Sequence, residues 1–482
     1  MDFLHELYGR FARLEPEECS GSIKNSEAEA FLRANAPRFA CSDETLTEIF
    51  AFRLWTYRKH LKRTPEGFVI TEFLPDVPWA GPYNAIVCPV GHHINEGRWL
   101  SDRTYIKDDI RHFTRGAGRE AVFGYQNDLI YAACEYVLSF DDLAFGAEIA
   151  DDLLRIYRTW WETHGTSYGL LWCVDNYDGM EYSISGNGLR PTLNAYMYGA
   201  ATELAALFDR LGRREEAQTL RSEAEALKER INRYLWDTRD GFYKTVPMDA
   251  RTDTPDFDRL CAAHNVRELI GYIPFAYAGL TGTDKDTAFA ALTDPTCFLA
   301  PYGPTTADRS HPGFRKTDSD HECLWDGPSW PFATAQTLSA VIRRREEGEI
   351  PTFTDADFVR ALKTYANSHY IVRDGVRVPW IDENLDPDTG EWVARRILHE
   401  IGDPHRERGI WYNHSSFCDL VIRGLCGVRP CGDHLELSPM LSPDITWFML
   451  ENLSLFGKTY AVYYDADGTH LGRGRGLFTV ET

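Results

Sequence analysis

"RPTLNAYMYGAATELAALFDRLG" (residues 190–212) is followed, after Arg213, by "REEAQTLRSEAEALKERINRYLW" (214–236). Both stretches carry apolar residues at three-and-four spacing, the signature of helices. The first is rich in small and aromatic residues and the second in charge, so the pair reads as an inner helix followed by an outer one, turning around Gly212. The same theme stands upstream. There "EAVFGYQNDLIYAACEYVL" (120–138) and "LAFGAEIADDLLRIYRTWWETHG" (143–165) are joined by "SFDD", with Asp141 or Asp142 as N-cap. Further helices are expected in "ELIGYIPFAYAGL" (268–280), "SWPFATAQTLSAVIRRREE" (329–347), "ADFVRALKTYANSHY" (356–370) and "SSFCDLVIRGLCG" (415–427).

The flanks differ. The last fifty residues alternate β-branched and aromatic residues with turn signals in "HLELSPML", "ITWFMLENLSLFGKTYAVYYD" and "HLGRGRGLFTVET", which predicts a small sheet. The first seventy read as helical and then extended, and "PDVPWAGPYNAIVCPVG" (75–91) is a Pro- and Gly-rich loop leading into the repeated hairpins. No low-complexity linker intervenes, so the parts should pack on one another. The expected division is an N-terminal segment over 1–75, a helical body over 76–430 and a C-terminal β region over 431–482.

Apolar residues make up 43% and charged residues 26%, which places the chain among soluble globular proteins. A net charge of −22 repels nucleic-acid phosphates and anionic lipid, so neither is an expected partner. The start "MDFLHELYGRFARLEPEE" has no uninterrupted apolar run, and the cytoplasm is the expected location. Eleven Cys without a CxxC read as mostly buried thiols rather than a disulfide framework.

Three stretches could carry chemistry. "CVDNYDGMEYSISGNGLRPTLNAY" (173–196) sets Asp175, Asp178 and Glu181 before an inner helix, among glycines that let a backbone approach a ligand. "VPWIDENLDPDTGEWV" (378–393) supplies Trp380, Asp382, Glu383, Asp386, Asp388 and Glu391. "GHHINEGRWLSDRTYIKDD" (91–109) mixes His92, His93, Glu96, Arg98, Trp99 and Asp102. Acids in such loops also cap helices or form internal ion pairs, and both readings stay open on spacing alone. "CLWDGPSWPFATAQTL" (323–338) places Trp325, Asp326 and Trp330 in a turn whose indoles could stack on a sugar ring, and "WYNHSSF" adds Tyr412 and His414. There is no HExxH, Walker loop, dinucleotide fingerprint or GxSxG elbow, and no cofactor or metal is expected.

Taken in order, "HHINEGRWLSD", "DGMEYSISGNGLRPTLNAYMYG", "YLWDTRDGFY", "CLWDGPSWPFATAQTL", "ENLDPDTGEW" and "YNHSSFCDLVIRGLCGVRP" resemble the six-hairpin, (α/α)6-barrel glycosidases. The resemblance is to the mannosylglycerate-hydrolase-like proteins, related to glycoside hydrolase family 63 and distantly to trehalases. It implies a mainly α toroid with a small C-terminal β region, and an inverting hydrolase that releases a monosaccharide from a short α-glucoside or α-mannoside. Glu181 would be the general acid and Glu383 the general base. Many relatives carry Asp at the acid position, which leaves Asp178 a rival. The substrate would be held by Arg98, Trp99, Asp102, Asp178, Trp325, Asp326, Trp330, Trp380, Tyr412 and His414. Relatives often carry a sizeable β domain ahead of the barrel where about seventy residues stand here, which favours a small substrate. The 75–91 and 301–320 loops would close the pocket, and Arg309, Arg315 and Lys316 in the second could meet a carboxylate. Two alternatives remain: a sugar epimerase or polysaccharide lyase on the same toroid, using His92, His93, His321 or Tyr412, and a noncatalytic sugar-binding protein. Homo-oligomerisation is also left open.

Overall fold

The computed structural model describes residues 3–15, 17, 21–316 and 321–481. Helices α1 (Phe3–Leu14), α2 (Asn25–Asn35) and α3 (Glu44–Lys59) come first, then α4 (Val90–Gly97), α5 (Thr104–Thr114), α6 (Leu129–Ser139), α7 (Leu143–His164), α8 (Pro191–Arg210) and α9 (Arg214–Arg230). After a long interval follow α10 (Pro331–Glu346), α11 (Asp355–Ser368), α12 (Val393–Glu400) and the short α13 (Cys418–Leu420), which continues as a π-type turn over Val421–Leu425. Packing closes an inner ring in the order α4, α6, α8, the 3-10 stretch Leu269–Ala276, α10, α13 and back to α4. Around it stand α5, α7, α9, the 3-10 stretch Thr283–Thr293, α11 and α3. This is the (α/α)6 toroid that the resemblance implies.

The α8–α9 pair shows why the residues sort themselves this way. Helix α8 is buried on nearly every side, and its Gly199 is needed because the Tyr277 ring lies 2.2 Å from where a Cβ would stand. Helix α9 buries Ala217, Leu220, Ala224 and Leu227, a single stripe at three-and-four spacing, and turns its charges outward.

Two segments depart from the expected helices. Within residues 268–280 only Leu269–Ala276 coil, and as a 3-10 stretch, because Pro274 withholds an N–H from the helical ladder and Gly271 lies flush on Phe242 and Tyr243. A Cβ on Gly271 would stand 2.2 Å from the Phe242 ring and 2.4 Å from the Tyr243 carbonyl. Helix α6 begins at Leu129 rather than near residue 120, because Asn127 Nδ2 donates to Val122 O (2.9 Å) and Tyr125 O (2.8 Å) and holds the preceding residues as a loop.

The C-terminal β region forms as expected, with a fourth strand drawn from the other end of the chain. Strands Arg38–Cys41, Trp447–Leu455, Lys458–Asp465 and Gly476–Glu481 lie in that spatial order, all antiparallel, with Phe39 opposite Leu450 and Leu450 opposite Val462. Phe448, Leu450 and Val462 point inward and are fully buried. No helix among the described residues is long and apolar enough to cross a membrane. Every cysteine among them is a free thiol.

Candidate active site

A cleft of about 510 Å³ opens at one end of the inner ring. Its walls come from the segments that precede inner helices: Glu72 to Cys88 before α4, Tyr125 before α6, Gly179 and Glu181 before α8, Trp325 and Trp330 before α10, and Tyr412 and His414 before α13. All these helices run the same way, so the loops that lead into them converge.

Glu181 sits on a braced loop. The backbone turns through Gly179 at φ 68°, where a Cβ would also press on Phe332 at 2.9 Å. Arg190 then ties the loop down: Nε donates to Asp178, and Nη1 donates to the Ser183 and Ser185 hydroxyls at 3.1 Å. Thr192 Oγ1 also donates to Asp178, at 2.7 Å. Asp178 is therefore fully buried beneath the loop and does not line the cleft, whereas Glu181 does. Glu181 accepts from Tyr125 OH at 2.6 Å. Burial pushes its carboxyl up to about 7, against the Tyr125 hydrogen bond and with help from Glu383 and Glu322.

Glu383 faces the same cleft from a loop pinned to the tryptophan turn. Ser329 and Leu385 exchange backbone hydrogen bonds of 2.9 Å, and Asn384 Nδ2 donates to Glu322 O at 3.1 Å. Arg408 grips Glu383 with both arms of its fork, Nε to Oε1 at 2.6 Å and Nη2 to Oε2 at 3.2 Å, and also pairs with Glu322. Burial raises the Glu322 carboxyl, yet Arg408 holds it below the usual range. Cys323 Sγ donates to Glu383 Oε2 at 3.2 Å and lies within 4.8 Å of a Glu181 oxygen. Those two spans laid end to end place the Glu181 and Glu383 oxygens at most about 8 Å apart.

Aromatic rings form the rest. Trp325 and Trp330 stack with centroids 4.2 Å apart and planes 7° from parallel, and Trp330 Nε1 donates to Leu324 O at 2.9 Å. Phe332 meets Trp325 edge-on and stacks on His414, which also meets the edge of Trp330, while Tyr412 packs on Phe73 at 4.6 Å. Arg408 also lies 5.1 Å over Trp79. Glu72 completes the wall and accepts from Tyr412 OH.

Other expected contact residues are not brought here. Arg98 and Trp99 end α4 and point to the opposite end of the ring, where Arg98 binds Asp419 and Glu135 and the Trp99 indole donates to Asp419 at 2.7 Å. Asp102 is exposed and accepts from Thr104 N. Trp380 is buried behind the Glu383 loop, donating to Asp382 at 3.2 Å, and Asp326 is buried in its turn. In the 301–320 loop, whose last four residues lie outside the described ones, Arg309 pairs with Asp388 and Arg315 with Asp386. His92 and His93 are buried below the floor, which lowers them to about 3 and about 4. Glu72, Tyr125, Glu322 and Arg408 were not singled out in the sequence, although each lies in a loop leading into the ring.

Glu181, His321 and Cys323 bring donor atoms within 4.8 Å of one another. They suit a resident metal ion poorly, because burial, with Glu383 and Glu181 next, pushes the Cys323 thiol well above its usual range and it donates to Glu383.

A model of the mannosylglycerate hydrolase MGH1-like glycoside hydrolase domain matches residues 82–415. A solved structure described as a sialidase is 34% identical with a TM-score of 0.90, over 100% of this chain and 43% of that one. The chain thus spans less than half of that relative's length. A GH78 rhamnosidase from a Bacillus species is 16% identical at TM-score 0.59, over 90% of this chain and 40% of that one. A GH63 mannosylglycerate hydrolase from Thermus thermophilus is 13% identical at TM-score 0.53, over 77% and 98%. At such identities these two show the fold alone. No curated protein sequence matches.

Proposed function

We propose, for a chain that belongs to the mannosylglycerate hydrolase MGH1-like glycoside hydrolase family, that its cleft hydrolyses a short glycoside with inversion, Glu181 acting as general acid and Glu383 as general base. The observation that carries this reading is the contrast between two facing carboxyls. Burial holds Glu181 up to about 7, so near neutral pH it has a proton to give, while Glu383 stands in a bidentate ion pair with Arg408. Glu181 protonates the glycosidic oxygen as the bond to the anomeric carbon breaks. A water attacks that carbon from the opposite face and loses its proton to Glu383. The products are a free sugar and the protonated aglycone oxygen. Inversion calls for carboxyls roughly 6.5–9.5 Å apart and retention for about 5–5.5 Å; the bound of about 8 Å admits both, so the anomer of the product decides between them.

The substrate we favour is an α-glucoside or α-mannoside. The cleft volume suits one or two rings, and the Trp325–Trp330 stack offers an apolar face to one of them. Glu72, Glu181, Glu322 and Glu383 outnumber Arg408, which works against an anionic sugar in the cleft. Proton NMR of gluco- and manno-configured disaccharides during the first minutes tests the whole reading. The expected product is free sugar in the anomer opposite to the bond cleaved. The same anomer would mean retention, and no new sugar from any member of the set would end the hydrolase reading for these sugars.

A further inference from the structure

Glu72 has no role in the chemistry above, yet its carboxyl is part of the cleft wall. The segment that carries it is clamped from behind: Asn413 N donates to Glu72 O at 3.0 Å and Asn413 Nδ2 to Thr71 O at 3.1 Å. One carboxyl oxygen, Oε1, accepts from Tyr412 OH. No cation among the described residues pairs with it, since Arg408 grips Glu383 and Glu322 instead. The ionisable groups around it are Tyr412, Glu383, Glu181, Arg408 and Cys88. Burial, opposed by the Tyr412 hydrogen bond and reinforced by Glu383 and Glu181, pushes Glu72 up to about 8.

We propose, building on the hydrolase reading, that Glu72 recognises the sugar as a neutral carboxylic acid, accepting from Tyr412 through one oxygen and donating from the other to a sugar oxygen. A protonated carboxyl has one O–H donor, which an ionised one lacks, and a buried position beside two other carboxyls, with no cation paired to it among the described residues, is where the neutral form persists. The ligand class this fits is an uncharged polyhydroxylated ring, oriented by a donor on the wall beside Tyr412.

The test compares Glu72→Gln with Glu72→Ala. Glutamine copies the neutral acid, because its carbonyl can accept from Tyr412 while its amide N–H donates. Binding of D-glucose and D-mannose to the full chain is followed by calorimetry, and kcat and KM are measured on the glycoside that the wild type cleaves. We expect Glu72→Gln to hold sugar affinity and KM within about threefold of wild type, and Glu72→Ala to weaken both tenfold or more with a smaller change in kcat. Wild-type affinity should fall as pH rises through about 8, and Glu72→Gln should lose that dependence. Glutamine as damaging as alanine, or a loss confined to kcat, would overturn the proposal and leave the hydrolase reading standing. Sugar binding with this pattern in a protein that hydrolyses nothing would keep Glu72 and remove the hydrolase reading. No binding of either sugar together with no cleavage of any of the disaccharides by the wild type would overturn both.

Discussion

The two ends of the inner ring are built from opposite charges. At the cleft, where inner helices begin, Glu72, Glu181, Glu322 and Glu383 meet Arg408, the one arginine among the described lining residues. At the far end, where the same helices finish, a cavity of about 320 Å³ is lined by Arg98, Arg210, Arg343, Arg423 and Arg429 with Glu135 and Glu203. Helix N-termini favour negative groups and C-termini positive ones, so parallel inner helices sort the charges without further help. What differs is how they are matched. The far-end arginines are paired: Arg98 with Asp419 and Glu135, Arg423 with Glu135 and Glu346, Arg429 with Glu436. The cleft keeps more carboxyls than cations, and that excess adds to burial in holding a proton on Glu181. Matched charge builds the barrel, and unmatched charge carries the proposed chemistry.

Substitutions can break or sharpen this contrast. The largest expected effect is at the cleft: Glu383→Gln should lower turnover by roughly 10³-fold, the size of a lost general base, with sugar affinity retained. Wild-type turnover in that variant would remove Glu383 from the reaction. Glu181→Gln should cost roughly 10²- to 10⁴-fold on a disaccharide and far less on an aryl glycoside whose leaving group needs no proton. Equal losses on both substrates would contradict its role as acid. At the far end the readout should be stability. Arg98→Met strands Asp419 and part of Glu135, and should destabilise the fold by about 3–5 kcal/mol while leaving kcat of the folded protein unchanged. A collapse of kcat at unchanged melting temperature would show that the far end takes part in catalysis.

The smallest effect concerns pH. The rate should fall as pH rises through about 7, because Glu181 must hold its proton. Tyr125→Phe removes a hydrogen bond that favours the carboxylate, so the descending limb should move to higher pH by a fraction of a unit. Movement to lower pH would mean that Tyr125 supports the acid form instead.

The long hairpins were legible because α7, α8 and α9 repeat their apolar positions over many turns, whereas residues 268–280 look helical in pattern and are undone by Pro274 and the close approach at Gly271. The site was legible in part. Glu181, Glu383, Trp325, Trp330, Tyr412 and His414 share the cleft. Arg98 and Trp99 were misplaced for a geometric reason: they end α4, and a helix end cannot meet the loops in front of its neighbours when all run in parallel. Glu72, Tyr125 and Arg408 precede helices and obey that rule, but they carry no spacing that marks them until the direction of each helix is known.

The strand Arg38–Cys41 and helix α3 also govern how the chain assembles. Ser42, just past that strand, receives a hydrogen bond from Thr446, 404 residues away, and α3 fills its place beside α13, which forms from residues made far later. The ring therefore cannot close until most of the polypeptide is synthesised, and such distant contacts slow folding. Until then the apolar faces of α4, α6 and α8 stay open to other chains, so refolding yield should fall as protein concentration rises.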